Sequence, residues 1–159
     1  MTGIDPALVE LQHLQLLDLS FNAFDGAPIP DFLGSMKELR HLDLTYAGFS
    51  GRIPHQLGNL SKLISLKLSS DYSLSAKNLW WLTTLPSLNY MSLVNLSMAS
   101  HDWVHVINMS PSLVELYLWN CGLSYISLTL PSVNFTSLRV LDLRFNNFNS
   151  TIHHSKLDS

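Results

Sequence analysis

The pair Leu-x-Leu returns at a nearly fixed interval along the chain, and no other feature limits the fold so tightly. Its anchors are Leu17/Leu19, Leu42/Leu44, Leu66/Leu68, Met91/Leu93, Leu116/Leu118 and Leu141/Leu143. Successive first anchors lie 25, 24, 25, 25 and 25 residues apart. Upstream apolar residues keep step: Leu11 and Leu14, Met36 and Leu39, Leu60 and Leu63, Leu85 and Leu88, Phe135 and Leu138. The fifth unit keeps only Leu113 and has Ser110 where an apolar residue belongs. Leucine accordingly fills 32 of 159 positions.

Alternation around each pair is strand periodicity, with both leucines on one side. A 24–25-residue period returns the chain to the same place one strand over. Six strands at ~4.8 Å make a parallel sheet roughly 24 Å wide. No unit can bury its leucines alone, so the stack itself is the core. The prediction is an α/β solenoid of about six repeats, wound as a right-handed superhelix. The parallel sheet lines its concave face, with short helices, 3-10 turns and extended segments on the convex side.

The return halves differ between repeats. Repeats one and two run Phe24-Asp25-Gly26-Ala27-Pro28-Ile29-Pro30 and Phe49-Ser50-Gly51-Arg52-Ile53-Pro54. Glycine supplies a tight turn and Ile-Pro an extended stretch. Repeat six opens the same phrase, Phe148-Asn149-Ser150-Thr151-Ile152, and repeats three and four lack it. There Ser75–Leu82 and Ser100–Ile107 read instead as short capped helices, Trp103 and Ile107 sharing a face at i, i+4.

Other classes drop out on composition. Nine Lys plus Arg against twelve Asp plus Glu give a net charge of −3, with no basic footprint for nucleic acid. A single cysteine, Cys121, excludes an intrachain disulfide. No apolar run approaches the ~18 residues of a membrane span, and the N-terminus has no signal-peptide pattern. His101 and His105 are i, i+4, but no third metal ligand converges on them. Neither a nucleophile elbow nor a glycine-rich phosphate loop occurs. No metal, cofactor or catalytic residue is expected, and the chain is read as non-enzymatic.

The run from Leu42 to Leu63, with Gly51-Arg52-Ile53-Pro54 and Leu57-Gly58-Asn59-Leu60, resembles the plant-specific leucine-rich repeat. The inserted helical segments, followed by Pro111–Leu116 and Asn134–Leu138, resemble plant receptor-like proteins of the disease-resistance type. That resemblance implies an extracellular solenoid on a single membrane helix, recognising microbial or cell-wall molecules and signalling through partner kinases. It implies an extracellular location at the plasma membrane and a protein, peptide or glycan ligand, with a co-receptor kinase as a second partner. Two alternatives stay open: a secreted polygalacturonase-inhibitor-like protein, and a truncated gene fragment without independent activity. Residues 1–159 are expected to form one solenoid lacking a recognisable cap at either end, with leucine edges exposed.

In this repeat the third residue after the second anchor is Asn or Cys, turned inward to satisfy backbone groups where the strand ends. The register holds Asn22, Ala47, Asp71, Leu96, Cys121 and Asn146, so Asn22, Cys121 and Asn146 are expected to form the structural ladder. Asp18, Asp43 and Asp142 recur between the leucines, which argues for a structural or solvating role. Concave positions that break the pattern are the recognition candidates: His41, Tyr46, Tyr90, Glu115, Tyr117, Trp119, Arg139, Asp142 and Arg144. Aromatic residues and Arg carry most interface energy. Five N-x-[ST] sequons mark candidate glycosylation sites. Asn59, Asn95, Asn134 and Asn149 are retained, and Asn108 is set aside because Pro111 follows its sequon.

Overall fold

A computed structural model describes residues 3–98, 103–124, 134 and 136–148. Among the described residues nine strands follow one another: β1 (Leu16–Asp18), β2 (His41–Leu44), β3 (Ser50–Arg52), β4 (Ser65–Ser69), β5 (Tyr72–Ala76), β6 (Tyr90–Val94), β7 (Ser97–Met98), β8 (Glu115–Trp119) and β9 (Val140–Asp142). Six of them form one parallel sheet in the order β1-β2-β4-β6-β8-β9. Leu17, Leu42, Leu66, Met91, Leu116 and Leu141 pair across successive strands, as the period requires. This is the leucine-rich-repeat solenoid: the sheet carries one continuous face, and the leucines stack behind it.

Among the described residues the returns run through 3-10 turns and one short helix. Turns occupy Pro6–Glu10, Asp31–Ser35, His55–Asn59 and Trp80–Thr84, and an α-helix, α1, occupies Trp103–Asn108. Pro30 and Pro54 stand at the entry of their turns with φ of −70° and −71°, the value the proline ring imposes. At Pro6 the preceding Asp5 accepts a hydrogen bond from Ala7 N at 2.8 Å. Gly58 is where adjacent turns touch: a Cβ there would lie 2.6 Å from Thr84 Oγ1 and 2.8 Å from the Trp81 carbonyl oxygen.

The core is the leucine stack itself. Leu42, Leu44, Leu63, Leu66, Leu93, Leu116 and Leu118 are fully buried, and Phe24 and Phe49 stack at 4.5 Å between ring centres. Ser110 takes its apolar neighbours' place by turning its hydroxyl back onto the Val106 carbonyl at 3.2 Å. Toward either end of the stack Leu11, Leu16 and Leu141 are half exposed.

One expectation needs correction. Repeats three and four do keep an extended return segment: β5 pairs in parallel with β3, and β7 with β5, as a second sheet, without any Gly-x-Ile-Pro phrase. Ser75 and Ala76 therefore belong to a strand, and helical geometry begins only at Trp80. Backbone pairing with the previous repeat decides the conformation here, not the local sequence. In the next repeat α1 forms, and Trp103 and Ile107 are both buried; Ser100, His101 and Asp102 lie outside the described residues.

In repeat three the ladder register holds Asp71, which is not a ladder residue and is exposed. Ser70, one residue earlier, is buried and takes over the strand end. Its hydroxyl donates to the Phe49 carbonyl at 3.2 Å and accepts from Leu74 N at 3.1 Å.

Candidate functional site

Strand alternation fixes which side chains face the open side of the sheet. Residues 41, 43, 65, 67, 90, 92, 115, 117, 140 and 142 share one side, opposite the buried leucines. On this side a line of rings and charges runs from β2 to the segment after β9. The Lys67 ammonium meets Asp43 Oδ2 at 3.0 Å and lies 5.9 Å from the Tyr90 ring centre. Tyr90 packs against Tyr117 at 5.4 Å, and Tyr117 meets the edge of Trp119 at 6.4 Å. The Arg144 guanidinium then covers Trp119 at 4.2 Å while holding Asp142 at 2.9 Å. Cation–π contacts of this kind stabilise by about 0.5–1 kcal/mol where exposed.

Charge is arranged by these contacts. The hydrogen bond from Arg144 holds the Asp142 carboxyl below its ordinary range, and the hydrogen bond to Asp43 raises the Lys67 ammonium. Tyr117 donates its hydroxyl to Glu115 Oε2 at 2.9 Å, which pushes its own ionisation upward. Trp119 Nε1 is shielded from solvent beside Asp142, and no acceptor meets it at hydrogen-bonding geometry among the described residues. Rings, a guanidinium and carboxylates held in fixed places on a rigid sheet suit binding rather than bond-breaking.

Of the nine recognition candidates, Tyr90, Glu115, Tyr117, Trp119, Asp142 and Arg144 come together. His41 stands apart on β2, exposed, in a hollow of about 160 Å³ with Leu16, Asp18, Asp43, Ser65 and Lys67. Tyr46 lies beyond the end of β2 and pairs with Phe21 at 5.8 Å. Arg139 precedes β9, is exposed, and is out of phase with Val140 and Asp142, so it does not share the ribbon's side of the sheet. Lys67 and Asp43 belong to the ribbon and were not among the nine. The available signal was that Lys67 follows Asp43 in the same column one repeat later.

The aspartates between the leucines close the strand ends. Asp18, Asp43 and Asp142 each accept from the backbone N–H two residues on, at 2.9, 3.0 and 3.2 Å. Beyond them the backbone turns left-handed at Phe21, Tyr46, Asn95, Asn120 and Phe145, with φ between 48° and 61°. The ladder residues then satisfy the turn. Asn146 donates to the carbonyls of Leu118 and Leu143 at 2.6 and 2.9 Å and accepts from Cys121 N and Leu123 N at 2.8 and 3.2 Å. Cys121 is buried against the carbonyls of Leu93 and Trp119, and burial pushes its thiol to about 11. Asn22 makes only local bonds, to Leu19 and Ser20.

The sequon asparagines divide by position. Asn59 and Asn134 are exposed. Asn95 accepts from Asn120 Nδ2 at 3.1 Å near the end of the sheet. Asn108 is buried, and its side-chain Oδ1 accepts from Asn134 N at 2.6 Å. Asn149 lies outside the described residues.

Profiles of the leucine-rich repeat match residues 13–36 and 38–60, and a two-copy profile of the same repeat matches 111–159. Over 98% of its length the chain is 41% identical to Receptor-like protein EIX1 of tomato, Solanum lycopersicum. The chain belongs to the plant leucine-rich-repeat receptor-like proteins. It spans 15% of that relative's length. Among solved structures it is similar to the ectodomain of the Arabidopsis receptor kinase HAESA in complex with an extended IDA peptide hormone. The TM-score is 0.78 at 28% identity, covering 91% of this chain and 24% of the other. A second HAESA structure, with IDA and the co-receptor SERK1, gives a TM-score of 0.70 at 25% identity, covering 92% and 28%. Among the described residues no helix is long and apolar enough to cross a membrane.

Proposed function

We infer that this segment is a non-catalytic recognition surface of a receptor-like ectodomain, binding a peptide or protein ligand in defence perception. The observation that carries the reading is the unbroken ribbon from Lys67 through Tyr90, Tyr117 and Trp119 to Arg144. Such residues lose little conformational entropy on binding, because they are already packed against one another. The HAESA ectodomain, of the same fold, binds a peptide hormone and joins a co-receptor. A kinase co-receptor at the plasma membrane is the corresponding partner here.

The test is site-specific photocrosslinking in the full-length receptor on plant cells. A photoreactive residue replaces Tyr117, and one replacing exposed Ser35 on a convex turn serves as control. Ligand adducts at 117 and none at 35 support the reading. Trp119→Ala then weakens binding of the captured ligand by about 1–3 kcal/mol. An adduct with a pectin-degrading enzyme would favour the inhibitor-like alternative, and no adduct at 117 would retire the ribbon as the contact. The extracellular location has its own check. Intact mass of the native protein, before and after N-glycosidase, is expected to show glycans at Asn59 and Asn134.

A further inference from the structure

A second unmet demand for a ligand lies on the other side of the molecule. Arg52 at the end of β3, His55 and Gln56 at the start of the following turn, and Lys77 and Asn78 after β5 line one open cleft of about 380 Å³. Asp31, Ile53, Pro54 and Trp81 complete it. That volume falls within the range of small-ligand sites. The register explains the convergence. Arg52 pairs with Ser75 near the end of β5, and exposed Lys77 follows just beyond that end, on the same cleft.

The cleft carries two cations, Arg52 and Lys77, against one carboxylate, Asp31. Lys62, Lys67 and Arg144 each hold a carboxylate, and Lys37 caps two carbonyls. Arg52 and Lys77, like Arg40 and Arg139, have no such partner among the described residues, but only Arg52 and Lys77 share a cleft. The one carboxylate in the cleft, Asp31, is held at 2.9 Å by Gln56 Nε2 and keeps acceptor capacity to spare. Apolar walls, two side-chain amides and an acceptor beside two free cations match a ring bearing hydroxyls and a single acid group. A bare oxyanion would leave most of this lining unused.

We propose that this convex cleft binds an acidic sugar, a uronate-containing oligosaccharide, with Arg52 and Lys77 on the carboxylate. Asp31, Gln56 and Asn78 take the hydroxyls, and the largely buried Ile53, Pro54 and Trp81 form the floor. The site is separate from the concave ribbon and does not depend on it.

The test is an NMR titration of the full chain with galacturonic acid trimer, reading the Trp81 indole and the Gln56 and Asn78 side-chain amides. Saturable shifts confined to these groups are expected. The neutral control maltotriose is expected to bind about tenfold more weakly, and the Arg52→Gln/Lys77→Gln double variant to lose about tenfold in affinity for the acidic trimer. Unchanged backbone shifts in the variant exclude misfolding. Absence of shifts, equal binding of maltotriose, or equal shifts from inorganic phosphate that the trimer does not displace would each overturn the proposal.

Discussion

On β1 and β2 the column between the paired leucines holds Asp18 and Asp43, and each closes the end of its own strand. On β6 and β8 the same column holds Ser92 and Tyr117, beside Tyr90 and Trp119. The first region uses its exposed column for backbone satisfaction, and its rings, Phe21 and Tyr46, lie beyond the strand ends. The second presents rings. Repeat six does both, since Asp142 caps Arg144 N and also anchors the guanidinium that covers Trp119. A solenoid can thus specialise one stretch of its face without altering the leucines behind it, because the two sides of a strand are independent.

The largest expected effect comes from the ladder at opposite ends of this series. Asn146→Ala strips two donors and two acceptors of their partner across repeats five and six, and is expected to cost about 3 kcal/mol. Asn22→Ala removes only exposed, local bonds and is expected to cost under about 1 kcal/mol. Urea midpoints at constant slope measure both, and equal losses would break the comparison. Next is Gly58→Ala, where the added methyl meets the Trp81 carbonyl and Thr84. About 2 kcal/mol is expected, from overpacking between turns, again read as a lower urea midpoint.

The smallest effect is in acid. Asp142 has a folded-state ionisation below its ordinary value near 3.8, because Arg144 donates to it. Its contribution is therefore complete above that ordinary value and fades as pH falls through the lowered folded one. Carboxyl NMR titration should show Asp142 protonating after an unpaired aspartate, with Arg144 leaving the Trp119 ring in step. An ordinary midpoint for Asp142 would show that the pair does not hold the ribbon's end.

The solenoid was legible because its leucine columns are dictated by burial, which repeats faithfully. The second sheet at β5 and β7 was not, because its pairing comes from the neighbouring repeat and leaves no local signature at Tyr72–Ala76. Ser70 was missed for a related reason: repeat three shifts its buried polar residue by one position, and a fixed register points to exposed Asp71. Tyr90, Tyr117, Trp119 and Arg144 could be picked out as departures from a column. Arg52 and Lys77 could not, since the convex elements they flank follow no shared column.

The in-register parallel sheet also works as a vernier. Its columns step by about 4.8 Å, whereas an extended peptide laid across them offers same-side groups every ~6.6 Å. The two scales coincide about once in four columns, close to three side-chain steps against four strands. A ligand crossing this face therefore meets it at a few spaced points, and the gaps between those points set how far apart its determinants must stand.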